Sequence, residues 1–132
     1  MNDDQFLEAL ESCSLAPELF SHREHVRAAF LYLERLSFGA AIDSMRSTLK
    51  RYTDFLGRAE KYHETLTVAF MCLVNTHRER SSFRDWPEFA RLNPELFDSR
   101  VLRQYYDPAT LASPLARTTF VLERLRTPVP AA

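Results

Sequence analysis

Three of the chain's four histidines open two stretches of helical pattern. They are His22 and His25 in Ser-His-Arg-Glu-His, and His63 in Lys-Tyr-His-Glu-Thr. Imidazole is the side chain whose proton is exchanged near neutral pH, and it is a common ligand for transition metals. It is also polar, so placing it on an apolar face costs free energy unless it finds a partner. Three imidazoles turned inward at helix starts therefore point to a metal site or an acid–base site.

Three neutral imidazoles with an open fourth position suit zinc or copper, and iron adds a carboxylate. Glu64 and Glu24 are the nearby carboxylates, each next to a histidine in sequence and so turned about 100° from it on a helix. The leading expectation is a small metal-dependent oxidoreductase with His22, His25 and His63 as ligands to copper, iron or zinc. Glu64 would be a fourth ligand or base, and Tyr105 and Tyr106 would face a small-molecule substrate. Two alternatives stand beside it. One is a metal-free enzyme in which a histidine pair works with Tyr62, Tyr105 or Tyr106 as general acid and base. The other is a helical binding or accessory module whose histidines are packed or contact a ligand. The positive end of a helix dipole disfavours a charged imidazole, so neutral histidines are expected. His22 and His25 are three apart, which is not the His-Glu-x-x-His spacing of metalloproteases.

The elements that position these residues read as helices. A short first helix spans about residues 3–12, with Phe6, Leu7 and Leu10 on one side, and a linker with Pro17 follows. Leu19 and Phe20 are placed to staple the next helix, where Ser21 and Glu24 have the spacing of a capping box. That second helix carries the stripe Val26, Ala29, Phe30, Leu33 and Leu36. The third, about 38–56, carries Phe38, Ile42, Met45, Leu49, Tyr52 and Leu56 at alternating three and four spacing. Gly57 is placed to end it in the left-handed conformation. The fourth, about 58–80, carries Leu66, Phe70 and Leu73, widened by Ala69 and Val74. Beyond it Asp85, Asp98 and Ser113-Pro114 open short helices, and Asn93-Pro94 and Asp107-Pro108 break them. After Ser82 these short pieces would form a lid.

No strand alternation, hairpin signal or repeat is present. The chain reads as one all-α domain over residues 1–125, a bundle of three long helices with short flanking helices, and a frayed tail at 126–132. Short connections make successive long helices antiparallel, so the second and fourth start at the same end. On both, the stripe continues back to a histidine, which brings His22, His25 and His63 together. His77 lies fourteen residues beyond His63, about 21 Å along a helix, and is read as structural or solvent-facing.

Composition narrows the classes. A 132-residue chain that is 45% hydrophobic and 27% charged, with net charge −1, has a globular composition. No basic block suggests nucleic acid, no apolar run suits a bilayer, and the acidic start is unlike a signal peptide, so a cytoplasmic location is expected. Two glycines leave no Gly-rich phosphate loop. Cys13 and Cys72 have no metal or redox spacing and are read as small buried residues. Trp86, Phe97, Tyr105 and Tyr106 also suit plain packing, and Arg84, Arg100, Arg103 and Arg117 suit a solvated face.

The stretches Phe20-Ser-His-Arg-Glu-His-Val-Arg-Ala-Ala-Phe-Leu-Tyr-Leu and Lys61-Tyr-His-Glu-Thr-Leu-Thr-Val-Ala-Phe resemble a family of small uncharacterised bacterial helical proteins. So do Pro87-Glu-Phe, Asn93-Pro-Glu-Leu and Tyr105-Tyr through Ser113-Pro-Leu-Ala-Arg117. The resemblance covers nearly all of the chain after Leu19. It implies a bacterial source and a single helical domain, and carries no activity with it.

Overall fold

The computed structural model describes residues 1–123, all-helical and without a strand among them. The tail expected at 126–132 lies outside the described residues. Helix α1 spans Asp3–Glu11, α2 His22–Arg35, α3 Phe38–Phe55 and α4 Glu64–Arg80. Three short helices follow: α5 (Trp86–Leu92), α6 (Pro108–Leu111) and α7 (Pro114–Thr118). Short 3-10 turns at Pro17–Leu19, Ala59–Lys61, Pro94–Phe97 and Val101–Gln104 join them. No helix among the described residues is long and apolar enough to cross a membrane.

Helices α2, α3 and α4 pack on one another, and α1 lies on α3. Most of the expected faces of α2 and α3 form the centre of the core, Val26, Ala29, Phe30 and Leu33 from one and Met45, Leu49 and Tyr52 from the other. Leu36 and Phe38, expected on the same stripes, are exposed where the two helices meet. The face of α4 differs. Its fully buried residues are Thr65, Met71 and Val74, whereas Leu66 is exposed and Phe70 and Leu73 are half-buried. The cause is that α4 is covered on two sides, by α2 and α3 and by the C-terminal helix α7. Leu66 and Phe70 consequently face a cavity instead of the core.

Two helix ends use the same device. After α3, Gly57 has φ 69°, and the amides of Gly57 and Arg58 donate to the carbonyls of Asp54 (2.9 Å) and Thr53 (2.8 Å). After α1, Cys13 has φ 61°, and the amides of Cys13 and Ser14 donate to Leu10 (3.2 Å) and Ala9 (2.8 Å). Both are Schellman closures. Cys13 thus occupies a backbone position usually given to glycine. Cys13 is half-buried and Cys72 exposed, against the expectation of two buried thiols.

The continuous helix expected over 58–80 is broken. The chain leaves α3 at Gly57, makes the 3-10 turn at Ala59–Lys61, and enters α4 one residue after His63. His63 is therefore the N-cap of α4 and not a member of its first turn.

A second aromatic core covers α2 from the C-terminal side. Phe30, Phe83, Trp86, Phe89 and Phe97 stack or meet edge-on, with ring centroids 4.7–6.3 Å apart. Arg23 lies over Trp86 and Phe97 at 5.6 and 5.0 Å. These aromatics are structural, as their types suggested.

Candidate functional site

The parallel arrangement of α2 and α4 brings the three histidines to one cavity. It has a volume of about 230 Å³ and is lined by His22, His25 and His63 together with apolar side chains from α3 and α4. Met45 and Leu49 come from α3, and Leu66, Phe70 and Met71 from α4. Ser99, Val101 and Leu102 close another side, so the segment after Ser82 does form a wall.

Each imidazole is held differently. His22 meets the Leu96 carbonyl through Nε2 at 2.9 Å, which makes Nε2 the donor because a carbonyl can only accept. Its ring meets Phe70 edge-on at 5.4 Å. Nδ1 of His22 is then left as an acceptor.

His25 is stacked on Phe20, with ring centroids 3.9 Å apart. This is the hydrophobic staple expected before α2, with an imidazole taking the place of an aliphatic partner. Ser21 stands at the N-cap, but its hydroxyl donates to the Glu24 carboxylate at 3.3 Å and does not accept from a backbone amide. The His25 imidazole makes no hydrogen bond among the described residues, and no buried side-chain nitrogen or oxygen among them lacks a partner. Its ring nitrogens therefore keep access to the cavity. Burial, and then the neighbouring His22, push the His25 pKa down to about 4. His25 is a neutral imidazole at pH 7, as expected at a helix start.

His63 is 6% exposed and uses both ring nitrogens. Nδ1 accepts from the Leu66 amide at 3.1 Å, capping α4, and Nε2 donates to the Leu111 carbonyl at 2.7 Å. Among the described residues no three His, Cys, Asp or Glu side chains come together as a metal-ligand group. The cavity collects the three predicted residues, but His63 is committed to the fold.

The predicted catalytic residues lie elsewhere. Glu64 does not line the cavity. Both its oxygens accept from Arg46 Nε (3.1 and 2.9 Å), and Oε1 also accepts from the Tyr62 hydroxyl at 2.6 Å. Burial pushes the Glu64 carboxyl up, but the bonds from Arg46 and Tyr62 outweigh it and hold it below its ordinary value. Burial and the Glu64 bond raise the Tyr62 phenol to about 12. His63 stands at the extended N-cap and Glu64 is the first residue of α4, so the two side chains have separate surroundings.

Tyr105 and Tyr106 line a different groove, with Cys72, Leu73 and Phe120, and not the histidine cavity. Tyr105 is 54% exposed. Tyr106 is buried and donates its hydroxyl to the Val121 carbonyl at 2.7 Å. The 3-10 turn at Val101–Gln104 directs Val101 and Leu102 to the cavity and leaves the tyrosines beyond it. His77 is structural, as expected: Nδ1 donates to Asn93 Oδ1 at 2.8 Å and lies 3.1 Å from Glu95.

Tyr62, named in the metal-free alternative, does line the cavity; sequence reasoning missed Lys61, Thr53, Thr67 and Ser99, the other polar residues there. Thr53 is legible afterwards, being four residues beyond Leu49 on one face of α3. Lys61 is not, because its placement depends on the 3-10 turn. The fixing contact is Arg117 Nη1, which donates to the Glu60 carbonyl at 2.7 Å. Arg117, read as part of a solvated face, is exposed and also ties α7 to the cavity wall.

No family model matches this chain, and neither curated proteins nor solved structures match it.

Proposed function

We propose that the cavity receives a small, mostly apolar molecule and that His22 and His25 act on its polar group by hydrogen bonding and proton transfer. One observation carries this reading. The His25 ring has no hydrogen-bond partner among the described residues although it borders a largely apolar cavity beside a second imidazole. Apolar cavities with a few convergent polar groups are the usual form of small-molecule sites. This one lies below the roughly 300–1,000 Å³ of drug-sized sites, which sets a small ligand.

The roles follow from the ring nitrogens. Nδ1 of His22 can accept a proton from the ligand, with Nε2 anchored on Leu96. A neutral His25 is a poor base at pH 7 and a good hydrogen-bond donor to a carbonyl or hydroxyl. The pair therefore divides into a base and a polarising donor.

A metal-dependent oxidoreductase at His22, His25 and His63 is the second reading. It is favoured by the three imidazoles sharing a cavity. It requires His63 to surrender either the cap of α4 or the bond to Leu111.

Titration of the protein with benzyl alcohol, benzaldehyde and cyclohexanone, followed through the imidazole carbon-bound proton signals, separates the readings. Saturable shifts of His22 and His25 that vanish in Leu49→Trp support the proposed site. No saturable shift with any of the three, up to their solubility, would overturn it. Zinc, copper or iron(II) that shifts all three imidazoles and releases the Leu111 contact would favour the metal centre.

A further inference from the structure

Lys61 lines the histidine cavity, and its ammonium makes no ion pair or hydrogen bond among the described residues. No aspartate or glutamate lines the same cavity. The nearest acids in sequence are engaged by arginines: Glu64 by Arg46 at 2.9 Å, and Glu60 by Arg58 at 3.7 Å. Two helices of fourteen and seventeen residues also begin here, α2 at His22 and α4 at Glu64. Their amino ends contribute positive potential at short range, reduced by Glu24 and Glu64 in the two first turns. A cavity with one free ammonium, no carboxylate and two helix starts is biased toward negative charge. Its interior is apolar, from Met45, Leu49, Phe70 and Met71.

We infer that the ligand class is a small apolar monocarboxylate, its carboxylate at Lys61 in the mouth, its hydrocarbon body against Met45, Leu49 and Phe70, and a second polar group, a carbonyl or hydroxyl, at His22 and His25. This rests on the small-molecule reading above and narrows it. Lys61 is exposed, which suits an entrance that meets the charged end last, and the half-buried His22 and His25 lie further in. A cationic ligand would meet the helix starts and the ammonium with repulsion. A neutral ligand of the same shape would keep the apolar contacts and lose the charge-assisted bond.

Binding of hexanoate, hexanamide and hexylamine to the full chain, measured by calorimetry at low salt, tests the inference. Hexanoate is expected to bind about fivefold or more tighter than hexanamide, the size of an exposed to partly exposed charge-assisted contact. Hexylamine is expected to bind weakest. In Lys61→Gln the preference for hexanoate over hexanamide should disappear, with hexanamide affinity unchanged, and Lys61→Arg should restore it. Equal binding of hexanoate and hexanamide to the parent would overturn the carboxylate assignment and leave the cavity reading intact. Binding by none of the three, together with none of the neutral aromatic probes, would overturn both.

Discussion

His63 donates through Nε2 to the Leu111 carbonyl at 2.7 Å and so joins the start of α4 to the end of α6, 48 residues later. Its other nitrogen caps α4 through the Leu66 amide. Removing the ring in His63→Ala loses a cap and leaves a carbonyl without its donor, a combined cost of about 2–3 kcal/mol. His63→Asn can still cap the helix and should recover about 1 kcal/mol of that. Urea unfolding of the three proteins checks this. Equal stability of parent and His63→Ala would mean that the latch is not made in solution.

Acid should weaken the fold through His25. Its pKa is lowered from 6.5 to about 4 in the folded chain, so between those values the unfolded chain binds the extra proton. Stability is therefore full above pH 6.5, falls as the pH drops toward 4, and loses up to about 3 kcal/mol from this group. His25→Phe keeps the stack on Phe20 and removes the titration. Its stability should be flatter over that window, measured as the urea midpoint at half-unit steps of pH. A parallel decline in the two proteins would assign the acid sensitivity to another group.

Glu64 is expected to be a structural carboxylate. Its oxygens are filled by Arg46 and Tyr62, and it faces away from the cavity. Glu64→Gln should cost about 1–2 kcal/mol, tempered because Arg46 is partly exposed. Its folded pKa is depressed, so the contribution is present above about pH 4.5 and is lost as the pH falls through the lower folded value. Probe binding at the cavity should not change by more than about twofold. A large loss of binding with stability intact would return Glu64 to the site.

Tyr105 and Tyr106 should separate cleanly from the histidine site. Tyr106→Phe removes the donor to Val121 and should cost about 1 kcal/mol. Tyr105→Ala, at an exposed position, should stay within about 0.5 kcal/mol of the parent. Neither should alter binding of the neutral probes to the cavity. Calorimetry on the two variants decides it, and a lost affinity in either would place that ring over the ligand.

Gly57 sets the geometry of the cavity wall. No atom lies within 4 Å of the position a Cβ would take there, so Gly57→Ala meets only the backbone cost of φ 69°. That cost is about 1–2 kcal/mol. The variant should also change the position of Lys61, seen as a loss of hexanoate preference beyond the loss of stability.

Helix periodicity made α2 and α3 legible. The stripe from Val26 to Leu33 and that from Met45 to Tyr52 are buried where the spacing put them. The meeting of His22, His25 and His63 at one cavity follows from the same spacing and from short connections. The break before α4 was not legible. Ala59, Glu60 and Lys61 are good helix formers, and only Gly57 marks an end. The 3-10 turn packs on α3 and takes a hydrogen bond from Arg117, 57 residues away, and neither contact is contained in a local pattern. The placement of Tyr105 and Tyr106 failed for a similar reason, since short 3-10 turns carry no periodicity long enough to give a face.

The C-terminal segment bears on how the chain acquires its cavity. The Thr65 hydroxyl donates to the Thr119 carbonyl at 2.8 Å and accepts from the Val121 amide at 3.0 Å, which adds to the ties from Leu111 and Arg117. All of these partners follow α2, α3 and α4 in the chain and are made after them. Helices α2 and α3 can pair while the rest is being made, because their contacts are close in sequence. The wall with Lys61 and His63 cannot be fixed until residues 111–121 return to it. A nascent chain would thus hold His22 and His25 on an open face, and competence to bind would arrive in one late step.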